Sequence, residues 1–187
     1  PGRDGQWQPV AQGSAWRLAT QPTKDVVRRA DGGHQLPAEG PTSLEKFHIP
    51  DIWPRGGFVG ATDWRVVHPG GEEGVPTIVW IDLMHDLVAG EPITGLERAM
   101  VIADTANGVG ARLDPERFSF LNTELTVHLH HPPTGTWFGV EAETSVGPDG
   151  VGMSAGVLHS ADGPIGRVTQ SLLVERFHQD GHGRVES

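Results

Sequence analysis

The sequence has 187 residues with 14 Lys and Arg against 24 Asp and Glu, a formal charge of −10, and no Cys. Zero Cys excludes disulfide scaffolds, thiolate metal sites and a cysteine nucleophile, while the acidic balance argues against nucleic acid or an anionic membrane surface as main partner. No apolar run approaches the roughly 20 residues of a membrane span, so a cytoplasmic protein of one domain, or one domain plus a piece of another, is expected.

Residues 1–19 read as ordered, with Asp4-Gly5 as a hairpin turn before the stretch from Val10 to Leu18. Residues 20–55 change character: Pro22, Gly32-Gly33, Pro37, Gly40-Pro41, Pro50 and Pro54 break any periodicity. This is the pattern of a linker crossing a surface, pinned by Phe47, Ile49, Ile52 and Trp53. From Gly56 onward, strands are predicted at 58–67, 77–83, 118–130, 136–144, 151–159 and 165–175. Gly147-Pro148-Asp149-Gly150 and Asp162-Gly163-Pro164 supply the turns between the last three. The polar tail, 178–187, reads as flexible.

One helix interrupts the strands. Thr94 and Glu97 form a capping box, in which each side chain satisfies the other's orphan backbone donor. The run from Leu96 to Asn107 follows, weakened by Gly108 and Gly110 and ended by Asp114-Pro115. Its middle is apolar on every side, which predicts burial. A buried helix with an antiparallel sheet around it is an α+β arrangement.

Asp104 lies late in this helix among apolar residues, where a carboxylate is costly unless paired. It reads either as an Asp that meets Arg98, Arg112 or Arg117, or as a general base oriented by burial and amide donors. Asn107 falls on nearly the same helical face. His128 and His130 alternate with Leu125, Val127 and Leu129 and read as a half-exposed strand face, without a third ligand at metal spacing. Gln170 stands in an otherwise apolar strand. Gly152-Met153-Ser154-Ala155-Gly156 matches the letters of a serine nucleophile motif, yet it lies inside a predicted strand with no helix after it, so a chance match in a Gly-rich chain is the preferred reading over an exposed elbow.

Several segments together carry a resemblance: Trp80 with Leu87-Val88-Ala89-Gly90-Glu91-Pro92, then Ala103-Asp104-Thr105-Ala106-Asn107-Gly108, Asn122 to His130, Gly150-Val151-Gly152 and Gly166 to Leu172. In this order they resemble the C-terminal hotdog domain of type II acyl-CoA thioesterases, the double-hotdog family. The resemblance implies an antiparallel sheet wrapped around one long helix, and cofactor-free hydrolysis of acyl-CoA by an Asp, a hydroxyl residue and a Gln that orient a water. Asp104 matches the Asp and Gln170 the Gln. Counting back from the end of the strand puts Asn122 at the hydroxyl position, with Thr123 beside it. The acyl slot is then expected near Met100, Leu125 and Met153, and the CoA phosphates near Arg65, Arg112 or Arg117. A hotdog hydratase resembles an Asp-x-x-x-x-His dyad instead, and no His follows Asp104 before His128.

The similarity spans 56–177, one complete hotdog. Laying Asp4-Gly5 on Asp162-Gly163 also lays Val10 on Val168 and Gln12 on Gln170, so 1–19 is expected to be the last strand or two of an earlier, truncated hotdog. The expectation is therefore a homo-oligomer joined through hotdog sheets. A non-catalytic acyl-CoA-binding or assembly module is the alternative function.

Overall fold

The computed structural model describes residues 11–20, 22–28, 30–32, 37, 40–49 and 56–177. The chain divides into two compact units, Pro1–Ala30 and Asp31–Ser187. In the first, residues 11–20 are exposed and carry no strand, and Lys24–Val26 forms a single 3-10 turn. The Asp4-Gly5 turn, Ile52, Trp53 and the tail 178–187 lie outside the described residues.

In the second unit, alternation of apolar and polar side chains builds one antiparallel sheet. Its described strands are β1 (Glu45–Lys46), β2 (Thr62–His68), β3 (Thr77–Leu83), β4 (Phe118–Asn122), β5 (Thr126–Leu129), β6 (Trp137–Val146), β7 (Val151–Ser160) and β8 (Gly163–Arg176). They run in the order β1-β2-β3-β6-β7-β8-β4, and β5 also pairs with β8. On β8, Val168, Gln170, Leu172 and Val174 are buried while Arg167, Ser171, Leu173 and Glu175 are exposed, the two-residue period of a sheet with one wet face.

Helix α2 (Gly95–Ala103) crosses the inner face and is followed by the short helix α3 (Ala106–Val109). Ala99, Ile102, Ala103, Ala106 and Val109 join Val79, Ile81, Phe138, Val140, Leu158, Ile165 and Val168 in the core. The alanines bring the helix axis close to the sheet, and each fully buried aliphatic such as Ile102 contributes about 2 kcal/mol. The expected capping box is present: Thr94 Oγ1 accepts from the Glu97 N–H at 3.2 Å, and Glu97 Oε2 accepts from the Thr94 N–H at 2.7 Å. The architecture is the α+β hotdog arrangement, a sheet curled around a central helix.

Four details depart from the sequence reading. Phe58 to Gly60 belong to a helical turn, α1 (Gly57–Gly60), and not to a strand. Gly57, at φ 60°, starts that turn, and the Thr62 hydroxyl donates back to the carbonyls of Phe58 and Val59. The segment called a linker contributes β1, and Phe47 and Ile49 pack against the core. The strand expected over 118–130 is interrupted. From Asn122↔Leu172 to Thr126↔Thr169, one side takes four steps and β8 takes three, which is the extra residue of a β-bulge. Finally, the helix expected to run to Asn107 breaks after Ala103.

Candidate active site

The break in the helix after Ala103 creates the site. The Thr105 N–H turns back to the Ile102 carbonyl at 3.0 Å, the tighter three-residue bond that ends many helices. The Asn107 N–H, which an unbroken helix would give to Ala103, donates instead to Gln170 Oε1 at 2.7 Å. Gln170 Nε2 donates to the Asp104 carbonyl and to Asp104 Oδ1, each at 3.1 Å. A side-chain amide from the sheet thus takes the place of missing backbone partners.

Asp104, at the break, is exposed. The expectation that burial sets its environment is corrected here: the apolar run stops at Ala103, and the C-cap position turns the carboxylate outward. It meets none of the arginines considered for it. Arg98 binds Asp82 at 3.1 Å, and Arg112 binds Glu143 at 2.6 Å. Its partners are amides. Asn122 Nδ2, at the end of β4, donates to Asp104 Oδ1 at 2.9 Å, so one carboxylate oxygen receives two N–H groups. Asp104 Oδ2 has no hydrogen-bond partner among the described residues.

The carboxylate lines a groove of about 630 Å³ with Phe58, Val59, Trp64, Met100, Val101 and Leu125, and with Thr105, Asn107 and Gly108 from the break. Phe58 meets Trp64 edge-on at 6.5 Å, a favoured aromatic contact. Asn107 anchors the wall by donating from Nδ2 to the Phe120 carbonyl at 2.9 Å.

Other predicted residues are placed elsewhere. Thr123 donates its hydroxyl to the Ser171 carbonyl at 3.2 Å and is tied to β8, so Asn122 and not Thr123 meets Asp104. Met153 is exposed on the outer sheet face, away from the groove, because it is out of phase with buried Gly152 and Ser154. Arg112 also donates to Thr77 Oγ1 and the carbonyls of Val75 and Ala111, which leaves it built into the fold and corrects the expectation of a phosphate ligand. Arg65 binds Asp63 at 2.8 Å. Arg117 is exposed, its guanidinium 5.9 Å from the Phe118 ring centre; Arg176 lies over the same ring at 4.5 Å. Ser154 is fully buried, and its hydroxyl donates to the Ala106 carbonyl at 3.0 Å. It holds the helix and is closed to substrate. Among the described residues no group of three His, Asp or Glu is placed to hold a metal ion.

Comparison with known sequences is decisive for the family. The acyl-CoA thioesterase C-terminal domain model matches residues 30–174. The chain belongs to that family. No curated protein matches it. Among solved structures, a hotdog-fold protein of unknown function from Alicyclobacillus acidocaldarius has 14% identity and a TM-score of 0.50, covering 88% of this chain and 58% of that one. Acyl-CoA thioesterase II TesB2 from Mycobacterium marinum has 15% identity and a TM-score of 0.49, covering 75% and 59%. A Bacillus halodurans protein with CoA has 20% identity and a TM-score of 0.40, covering 52% and 66%. The chain therefore spans under two thirds of the length of these three proteins. The Alicyclobacillus likeness supports the fold alone.

Within this thioesterase-family domain, Phe58 and Trp64 are groove residues that the sequence reading missed. For Phe58 the signal was present in Gly56-Gly57-Phe58-Val59-Gly60, three glycines around two apolar residues. That spacing is poor for a strand and suited to a turn.

Proposed function

We propose that this domain hydrolyses fatty acyl-CoA to the free acid and CoA, using a water activated by Asp104. The observation that carries the proposal is the Asp104 carboxylate, with Oδ1 fixed by two amides and Oδ2 free at the wall of an apolar groove. A base must be held in place and still have a lone pair to offer. In this reading Oδ2 takes a proton from water as its oxygen bonds to the thioester carbonyl carbon. The C–S bond then breaks, and the proton leaves with the thiolate. Asn122, on the solvent side of Asp104, keeps its amide oxygen and second N–H available to orient the water. The groove between Phe58, Trp64, Met100 and Leu125 takes the acyl chain.

The nucleotide end of CoA needs cations, in a chain of net charge −10. Arg117 and Arg176 share the Phe118 ring, and neither has an acidic partner among the described residues. Phe118 lies four residues from Asn122 on the same strand, about 13 Å away. We assign the CoA phosphates to this pair.

The test is release of free thiol across a series of acyl-CoA chain lengths. Asp104→Asn keeps the shape and removes the base, and thiol release is expected to fall at least about a hundredfold. Unchanged turnover would sink the proposal. A second reading is favoured by the amide at position 122, where the resembled family has a hydroxyl: the domain binds acyl-CoA without turning it over. Tight binding with no thiol release over hours would establish it instead.

A further inference from the structure

We infer that a second cavity, on the far side of Gly108 from the groove, receives the pantetheine arm of the CoA thioester. The thioester then lies across the helix break, with its acyl chain on one side and its arm on the other. The ligand's chemistry rests on the hydrolase reading, which this assignment extends to the middle of the substrate.

The second cavity has a volume of about 410 Å³. Phe47, Val109, Leu113 and Phe120 supply its apolar walls, with Arg112 and Asp114 among them. Gly108 lines both this cavity and the groove of Asp104, so the two adjoin beside the carboxylate across a residue with no side chain. A thioester carbonyl carries two substituents that leave it in different directions, and the site offers two spaces. The groove of Phe58, Trp64, Met100 and Leu125 is apolar away from the break and suits the acyl chain. The mixed walls of the second cavity suit an arm in which amides alternate with methylenes and a pair of methyl groups.

Strand β4 gives the arm its direction. Phe118, Phe120 and Asn122 are alternate residues and share one face of the strand, paired with Arg176, Val174 and Leu172 of β8. Val174 and Leu172 are buried, so this is the inner face. Along it, Phe118 lies by Arg117 and Arg176, Phe120 walls the second cavity, and Asn122 meets Asp104. The Asp114 carbonyl accepts the N–H groups of Arg117 and Phe118, each at 3.0 Å. The loop that walls the cavity therefore turns directly into the arginine pair. The length agrees. Pantetheine has about twelve bonds between its sulfur and the first phosphate oxygen, as many as four residues of extended backbone, or roughly 13–14 Å. The four steps from Phe118 to Asn122 span about 13 Å.

Binding of two thioethers that cannot be hydrolysed tests the assignment, by calorimetry on the full chain. S-octyl pantetheine and S-octyl N-acetylcysteamine carry the same alkyl chain, and only the first fills the second cavity. The first is expected to bind about tenfold more tightly, as burial of its two methyl groups alone supplies. Ala111 lines the cavity, and Ala111→Phe fills the space. In A111F, shown to be folded by its melting curve, the advantage is expected to shrink to within about twofold; A111L is the smaller substitution if A111F does not fold. Equal binding of both thioethers by the wild type, or an undiminished advantage in the folded variant, would overturn the inference. A loss in the variant that is equal for both thioethers would overturn it as well, since it would put the alkyl chain in the second cavity. Absence of thiol release from acyl-CoA would sink the hydrolase reading alone, because the thioethers report the cavity without turnover.

Discussion

Two amide nitrogens meet one oxygen of Asp104, and the two are not equivalent. Gln170 is inside and Asn122 is at the surface. An exposed hydrogen bond to a charged group is worth less than a buried one, because water substitutes for it. Asn122→Ala is therefore expected to lower kcat by about tenfold, less than Asp104→Asn; steady-state thiol release measures both. Ser154→Ala is expected to leave kcat intact while lowering stability by about 1 kcal/mol through the lost buried hydrogen bond, the Ala106 carbonyl keeping the Gly110 N–H at 2.8 Å. Urea unfolding beside the activity assay checks this, and an inactive S154A of normal stability would restore the serine as nucleophile. At this scale, Asp104 and Gln170 were legible from their unusual places in apolar runs. The exposure of Asp104 was not, since the sequence shows an unbroken helical pattern where a partner distant in the chain breaks it.

The helix carrying Asp104 depends on its first turn as well as on its break. The Thr94 N–H and hydroxyl both bind the Glu97 carboxylate, which holds that carboxyl below its ordinary pKa. A carboxylate with a lowered folded value stabilises the fold above its unfolded pKa and loses that contribution as pH falls through the folded value. Thr94→Ala is expected to lower the melting temperature by about 2–4 °C at neutral pH, and the difference should shrink at acid pH; melting curves at both values check it. Asp82 behaves oppositely. Burial pushes its pKa up, against the pull of Arg98, so its contribution is greatest at acid pH and declines as pH rises through the raised value. The capping box was readable because its pattern is local. The bulge after Asn122 was not, since it appears only when the strand is laid against β8.

For the whole molecule, the family match and the larger unit begin together, at residues 30 and 31. The sequence reading began the domain at Gly56. The turn residues of 31–55 carry no period, and the two residues of β1 with the Phe47 and Ile49 anchors are too sparse to announce a fold. The surrounding charge makes its own prediction. In so acidic a protein, Arg117 and Arg176 are a local exception, and the double substitution R117A/R176A is expected to raise KM for acyl-CoA several-fold. The same variant should leave KM unchanged for an acyl thioester of N-acetylcysteamine, which lacks the nucleotide. An equal effect on both substrates would remove the pair from CoA binding.

The grip of Gln170 on Asp104 also has a meaning in time. The two residues are 66 positions apart, and Gln170 lies on the last described strand, so neither α2 nor the strands before β8 can fix the carboxylate by themselves. Contacts between distant segments form late, after the loop between them has closed. During synthesis or refolding the helix can therefore be present, and the groove partly built, in a chain that is still chemically silent. Under the proposed hydrolysis, competence is expected to arrive with the docking of β8, and thiol release followed during refolding would then time the completion of this fold.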